Sequence, residues 1–447
     1  MIKISQEKVS VIGAGLAGCE AAWSLANKEI KVDLYEMKPK KYSPAHSYPG
    51  LAELICSNSL KASRLESAAG LLKEEMKLFD SIVIEAANKT RVAAGGALAV
   101  DREKFSDYIT NKIKSHPNIN IINQEVKKIP DGYVIIASGP LTSKALSDEI
   151  SKKLNKNYLN FVDAVAPIVL SESIDMSKVF MAARYDRGEP DYINCPMDEN
   201  QYKNFYNELV SAQTVVLKDF EKQKVYEGCM PVEVMAKRGY DTLRFGPLKP
   251  VGLIDPVTKK RPFAVVQLRC ENIGQVLYNL VGFQTNLKFS EQKRVFSLIP
   301  GLERAEFIRY GVMHLNTFID SPRVLDKYLR LRSDNKIFFA GQITGVEGYT
   351  ESASCGIFTA LNLFRVIKNK SLLELPETTM MGSLYNYISN PDIKDFQPMG
   401  ANMGILPELN LDKNIYKNIL KDKQKKYFEY SKRSIEDLKK FLKDFEN

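Results

Sequence analysis

With 447 residues, 44% of them hydrophobic and 26% charged, the chain reads as globular and soluble and is large enough for two or more domains. Its six cysteines lie far apart with no C-x-x-C pair, and it has only three histidines, which excludes a zinc knuckle and a dithiol redox motif, so no metal is expected. A net charge of +9 permits a polyanionic partner such as RNA, although a chain rich in Lys, Asn and Ile carries part of that excess as the drift of an AT-rich genome.

The opening stretch MIKISQEKVSVIGAG has no signal-peptide pattern, and no apolar run approaches the ~18 residues that span a bilayer, so a cytoplasmic location is expected. A short β-branched strand leads into Gly13-Ala14-Gly15-Leu16-Ala17-Gly18 and then into a helix carrying Ala21, Ala22 and Leu25. IKVDLYEM, Ile30 to Met37, follows as a second strand ending in Glu36. Strand, glycine turn, helix, strand and acid in that order form the βαβ dinucleotide unit. Gly13 makes the tight turn, Gly15 lets the backbone approach a pyrophosphate at the helix N-terminus, and Gly18 lets helix and strand pack closely. Glu36 is placed to accept from an adenosine ribose hydroxyl.

ELICSNSLKAS, Glu53 to Ser63, sets Cys56 against Ser57, Asn58 and Ser59. Leu65, Ala68, Ala69, Leu72, Met76, Phe79 and Val83 recur at helical spacing and predict one amphipathic helix over Leu65 to Asn88, with Ser63 near its cap. RVAAGGALAVDREKFSDYI gives a turn at Gly95-Gly96, a short strand and a helix. GYVIIASGP, Gly132 to Pro140, is a buried strand whose tip of small residues suits a place beside a nucleotide. From about Asn160 to Leu298 strands and turns alternate, as in DAVAPIVL, TVVLKDF and PFAVVQLRC.

Late in the chain, Lys336 to Phe364 (KIFFAGQITGVEGYTESASCGIFTALNLF) repeats the theme of strand, glycine loop and helix, the helix starting near Glu351. Gly341, Gln342, Glu347 and Gly348 would there close over a cofactor from the other side. The doubly wound unit is therefore expected to be split between 1–159 and 299–447, with a mixed α/β domain inserted at 160–298. A cofactor that needs both ends fits FAD better than free NAD. The last stretch predicts a Lys-rich amphipathic helix with Ile435, Leu438, Phe441 and Leu442 on one face.

Two cysteines stand in polar ground. Cys56 reads either as a buried thiol beside a helix cap or as a nucleophile whose thiolate Ser57, Asn58 and Ser59 support by hydrogen bonds. Cys229, in EGCMPVEVMAKRGYDTLRFGPLKPVGL, lies between Gly228 and Pro231 with Glu233, Lys237, Arg238 and Arg244 nearby, and reads either as a semi-buried thiol or as a thiolate. Gln284, Thr285, Asn286, Lys288, Arg294 and Arg309 form either a solvated face or a surface that meets a polyanion.

Taken together and in order, VIGAGLAGCEAAW, AELICSNSLKAS, GLLKEEM, GGALAVDR, YINCPM, the Cys229 block, LYNLVGFQTNLKFSEQKRVF, RYGVMHLNTF and FFAGQITGVEGYTESA resemble the TrmFO family of folate- and FAD-dependent RNA uracil-5-methyltransferases, a distant relative of the GidA-type flavoproteins. The resemblance runs from about Val9 to about Met403. It implies an α/β fold in which an FAD-binding Rossmann-like domain of the GidA and glutathione-reductase type is split by an inserted α/β domain and followed by a basic C-terminal helix. It also implies FAD reduced by NADH or NADPH, methylenetetrahydrofolate as one-carbon donor, and Cys56 and Cys229 as the catalytic pair. In one scheme a thiolate adds to uracil C6 and reduced flavin supplies a hydride; in another the flavin itself carries the methylene, with the cysteines as base and nucleophile around it. The implied substrate is a uridine in RNA, in the tRNA T-loop or, in a paralogue, in ribosomal RNA. Lysines and arginines of the insertion and of the C-terminal helix are then the natural phosphate contacts. Leu315 replaces an Arg usual in the family, and an RNA-binding paralogue without methyl transfer is a further alternative. A generic FAD reductase would leave both cysteine blocks without a role.

Overall fold

The computed structural model describes residues 8–43, 45–154, 158–164, 166–186, 188–215, 230–271, 275–311, 313–394, 396–409 and 422–446; Cys229 lies outside them. A parallel five-stranded sheet runs in the order Ile337–Phe339, Tyr133–Ile136, Val9–Ile12, Val32–Glu36, Ile119–Asn123. Its central strands are buried on both faces, as their unbroken apolar runs require: Val9, Val11, Val134, Ile135, Ile136 and Phe338 are fully enclosed. Val9 stands in register with Val32 on one side and with Tyr133 on the other. Both ends of the chain thus meet in one α/β sheet. The helices that follow the two glycine loops, Leu16–Ala26 and Tyr349–Ile367, seal this arrangement by close packing. A Cβ on Gly356 would come within 2.2 Å of the Ala17 carbonyl oxygen, so only glycine lets the helices meet.

The middle of the chain builds a second, six-stranded sheet in the order Phe180–Met181, Tyr192–Met197, Ala264–Cys270, Leu277–Leu280, Ile168–Leu170, Phe307–Arg309. Every residue of Ala264–Cys270 is buried, and a separate core forms around Tyr202, Phe205, Phe283 and Phe296. An antiparallel pair, Tyr158–Ala164 with Met313–Ile319, joins the two sheets' territories, Leu315 standing opposite Val162. A small third sheet of Ser59–Ala62, Ala97–Val100 and Arg91–Val92 carries the stretch after Cys56. The C-terminal helix Lys423–Glu446 lays Ile435, Leu438, Phe441 and Leu442 on the first core. Among the described residues no helix is long and apolar enough to cross a membrane.

The single helix expected over Leu65 to Asn88 is two helices, Ala68–Lys77 and Ile82–Lys89. Asp80 adopts φ 54°, a left-handed turn that its short side chain tolerates. Ser81 then caps the second helix by accepting from the Ile84 amide at 3.2 Å. The first helix is capped by Ser67, which accepts from Gly70 at 3.1 Å, and not by the region of Ser63. The break is used: the Ser81 hydroxyl and the Val83 amide both donate to buried Glu20 of the first helix. In the first of these two helices, Glu75 is fully buried and accepts from the Met380 and Met381 amides at 2.7 and 2.8 Å and from Ser434 at 2.5 Å. It ties three helices together.

Burial pushes the Glu20 carboxyl up from 4.5 to about 7. A folded-state value above the unfolded one means that its contribution is present in full below pH 4.5 and is lost as pH rises through about 7. Glu20→Gln is therefore expected to flatten the decline of stability across that window by about 3 kcal/mol at most, read from denaturant titrations at pH 5 to 8 of variant against wild type.

Candidate functional site

One elongated cleft of about 1230 Å³, including its space open to solvent, runs from the first glycine turn to Cys56. At the turn, Gly13 has φ 97°, and a Cβ there would meet the Ala137 carbonyl at 2.7 Å. A Cβ on Gly18 would lie 1.8 Å from the Gly13 oxygen. Gly15 differs, because a Cβ there has no protein atom within 4 Å and would project into open space. The first intrahelical hydrogen bond is Cys19 to Gly15 at 2.9 Å, so the amides of Leu16, Ala17 and Gly18 have no intrahelical acceptor and suit an anion at the positive end of the helix dipole.

Glu36 stands at the tip of its strand, its two oxygens accepting from the Ala14 and Lys38 amides at 3.0 Å each. Each oxygen keeps a further acceptor site toward the cleft. From the other end of the chain, Gly341 at φ 81° approaches Ala17 so closely that a Cβ would sit 2.7 Å from the alanine methyl, and Gln342 lies on the wall beside it. Gly13, Ala14, Gly15, Leu16, Ala17, Glu36, Gly341, Gln342 and Cys56 all line this one cleft. Gly18, Glu347 and Gly348 are not among its lining residues. Glu347 accepts from Gln342 Nε2 at 2.7 Å. A Cβ on Gly348 would collide with the Glu351 carboxylate at 2.1 Å. Burial pushes that carboxyl up, but Lys61 at 2.7 Å, with Thr350 and backbone amides, outweighs burial and holds it below the ordinary value.

Of the five described cysteines, Cys56 alone is not buried. Burial pushes the Cys19 and Cys195 thiols far up and that of Cys355 to about 11, which makes them inert. Cys56 Sγ lies 3.0 Å from the Tyr349 hydroxyl oxygen. The same oxygen accepts from the Cys56 amide at 2.9 Å and the Ser57 amide at 3.2 Å. An amide can only donate, so the phenolic proton is left for the sulfur. Burial, then the adjacent Cys56, raise the Tyr349 hydroxyl well above 10, so it stays a donor.

Ser57, Asn58 and Ser59 do not serve the sulfur as expected. The Ser57 hydroxyl accepts from Arg269 at 2.6 Å and from the Ser59 amide at 3.1 Å. Asn58 is buried; it accepts from Arg269 at 3.1 Å and donates to the Val100 and Cys270 carbonyls at 3.0 and 2.8 Å. The polar cluster is an anchor onto the inserted sheet. Behind it, Arg102 donates to the Leu54 and Ile55 carbonyls at 2.9 and 2.7 Å and to Glu271 at 2.5 Å, and its buried Nη2 has no partner among the described residues. Burial works against its charge, but Glu271 outweighs it, and the guanidinium lies within electrostatic reach of Cys56 and Tyr349. A hydroxyl donor and a nearby cation are the features that stabilise a thiolate.

Tyr349 and Arg102 were missed in the sequence reading, although both stand inside quoted blocks, one after Gly348 and one after the Asp101 that caps its helix. A tyrosine opening a helix directly after a glycine loop is the available signal; for Arg102 only the fold supplies the partner.

Residues 8–371 match the family described as "GIDA: Glucose inhibited division protein A". The chain is 55% identical over 438 residues to a protein of Acetivibrio thermocellus named methylenetetrahydrofolate–tRNA-(uracil-5-)-methyltransferase TrmFO, covering 98% of this chain and 99% of that protein. It is 54% identical over 439 residues to a protein of the same name from Listeria monocytogenes, covering 98% of this chain and all of that one. Among solved structures, Aquifex aeolicus GidA matches with a TM-score of 0.66 at 15% identity, over 89% of this chain and 69% of that one.

The two glycines at either side of the helix start separate packing from ligand approach. Gly18→Ala is expected to cost about 1–3 kcal/mol of stability by overpacking. Gly15→Ala is expected to melt like the wild type yet retain less flavin, measured as flavin absorbance per protein after purification.

Proposed function

Because the chain belongs to the TrmFO family of methylenetetrahydrofolate-dependent tRNA uracil-5-methyltransferases, within the wider GidA family, we infer that the cleft between the first glycine turn and Cys56 is its active site. The protein is an FAD-dependent enzyme that uses methylenetetrahydrofolate to methylate C5 of a uridine in tRNA. The cleft fits FAD: of the three glycines in the turn from Gly13 to Gly18, Gly15 is the one with open space beside it, next to helix-start amides suited to a pyrophosphate. In this reading Glu36 holds the adenosine ribose, and Gly341 and Gln342 hold the flavin end, with Glu347 and Gly348 supporting them from behind. Bound FAD, reduced by NADH or NADPH, supplies the hydride that completes the methyl group.

The observation that carries the reading is the Cys56 thiol, held at 3.0 Å by Tyr349 on the wall of the cleft that contains the glycine turn. Uracil C5 is a poor nucleophile until a group adds at C6. A thiolate is such a group, and the second cysteine, as a thiolate base, takes the proton that leaves C5 and becomes a thiol. Cys56 and Cys229 share these two roles, with the Tyr349 proton and the Arg102 charge keeping Cys56 ready as the anion. The target base leaves its stack to reach them, at a cost of a few kcal/mol. Lysines of the insertion and of the C-terminal helix contact the RNA phosphates.

Incubation of the purified protein with NADH or NADPH, methylenetetrahydrofolate and unmodified tRNA is expected to yield 5-methyluridine, detected by nucleoside mass spectrometry. Cys56→Ala and Cys229→Ala are each expected to lower the rate by at least about 10³-fold; full activity in either would refute the paired-thiol reading. Tyr349→Phe removes the hydrogen bond to the Cys56 sulfur and the acceptor of the Cys56 and Ser57 amides, and is expected to cost about 10- to 100-fold in rate with flavin content intact.

A further inference from the structure

Outside the cleft, the inserted domain carries an aromatic feature that the reaction above does not use. Phe283 and Phe296 pack in its core with ring centres 5.3 Å apart, and Phe296 reaches Phe307 at 6.4 Å. From there the rings turn parallel. Phe307 and Tyr310 stack at 5.5 Å and 10°, and Tyr310 and Phe289 at 5.0 Å and 16°. Phe289, the first residue of the helix Phe289–Phe296, is 55% exposed. One of its faces lies on Tyr310, so the opposite face is the one turned to solvent. A ladder rooted in the core therefore ends in a bare, rigidly backed disc.

Two lysines accompany Phe289 at the start of its helix, Lys288 donating from Nζ to Gln213 Oε1 at 2.9 Å. Lys288 and Lys293 on the same turns are exposed, while Glu291 is occupied by Arg294 at 2.8 Å. Tyr310 directly follows Arg309, which makes no side-chain hydrogen bond or ion pair among the described residues and lies within reach of the charges of Arg102, Tyr349 and Glu271. The disc also adjoins the ladder in which Lys288 donates to Gln213 at 3.1 Å and Val215 to Asn286 at 2.9 Å, the described residues that precede the segment bearing Cys229. An apolar protein partner calls for a broad patch, whereas a single flat ring edged by lysines matches a nucleobase with its phosphates.

We propose that Phe289 is a stacking platform for an unpaired base of the substrate RNA, other than the base that enters the cleft. The proposal rests on the tRNA-methyltransferase reading and names a contact on its substrate. Stacking on an aromatic ring holds a base without reading its sequence and adds no phosphate contact. The ordered ladder beneath fixes the ring before RNA arrives, so little conformational freedom is lost on binding.

The test is fluorescence anisotropy of labelled, unmodified tRNA with the flavin-loaded full chain at several salt concentrations. Phe289→Ala and Phe289→Leu are expected to weaken binding by about 5- to 100-fold without changing the salt slope, because no phosphate contact is lost. Phe289→Trp is expected to bind at least as tightly as the wild type. Melting temperature and flavin content serve as folding controls, and Leu retains apolar cover for Tyr310 should Ala disturb it. Affinity of Ala and Leu variants within twofold of the wild type overturns the platform while leaving the RNA reading intact. Equal losses in Trp, Ala and Leu variants overturn it too, as does a wild-type dimer that Phe289→Ala abolishes, which would assign the ring to a second copy. Wild-type protein that binds no tRNA at all overturns both readings together.

Discussion

A phenol has one proton to give. At Tyr349 two backbone amides already point at the oxygen, which commits that proton to the Cys56 sulfur. This constraint holds only while three distant parts of the chain keep their places. Arg102 fixes the carbonyls just before the cysteine, Arg269 of the inserted sheet grips the two residues after it, and the glycine loop at Gly348 delivers the tyrosine at the start of its helix. The thiol is thus positioned by the agreement of both domains. The insertion is part of the site's scaffold.

The electrostatics beside that thiol are uneven. Burying charge is costly unless it is paired, and among the described residues Arg102 has one carboxylate partner, Glu271, which also accepts from Asn279. The Nη2 of Arg102 and the Oδ1 of Asn279 remain buried and unmatched, and Arg309 adds a second positive charge within reach. Folding alone would favour completing such a network with apolar neighbours or further partners. Positive charge set behind the cleft wall at Cys56 suits transient anions instead.

How far the sequence carried this picture depends on the range of each interaction. The glycine turn was legible because a close backbone approach must be written into the residue itself, at Gly13 and Gly18. The meeting of the chain's two ends was legible because the same strand, loop and helix recur late. The helix over Leu65 to Asn88 was misread because apolar spacing continues through Asp80 and Ser81, where one left-handed residue and one cap outweigh periodicity. The polar residues after Cys56 were legible as important but not in role, since their partner Arg269 is 211 or more positions away. Tyr349 is 293 positions from Cys56, a distance that no local pattern spans, and Cys229 lies outside the described residues.

The order of the first sheet also governs how the protein comes into being. Its strand Tyr133–Ile136 has Val9–Ile12 on one side and Ile337–Phe339 on the other, and the cleft's far wall arrives with Gly341, Gln342 and Tyr349. During synthesis the N-terminal glycine turn leaves the ribosome early, yet its helix waits for Gly356 to pack against Ala17. A chain whose decisive contacts are this non-local gains them late. With the cleft as the flavin site proposed above, flavin capture is coupled to near-completion of the polypeptide, so a prematurely terminated product displays the glycine turn without the far wall of the cleft.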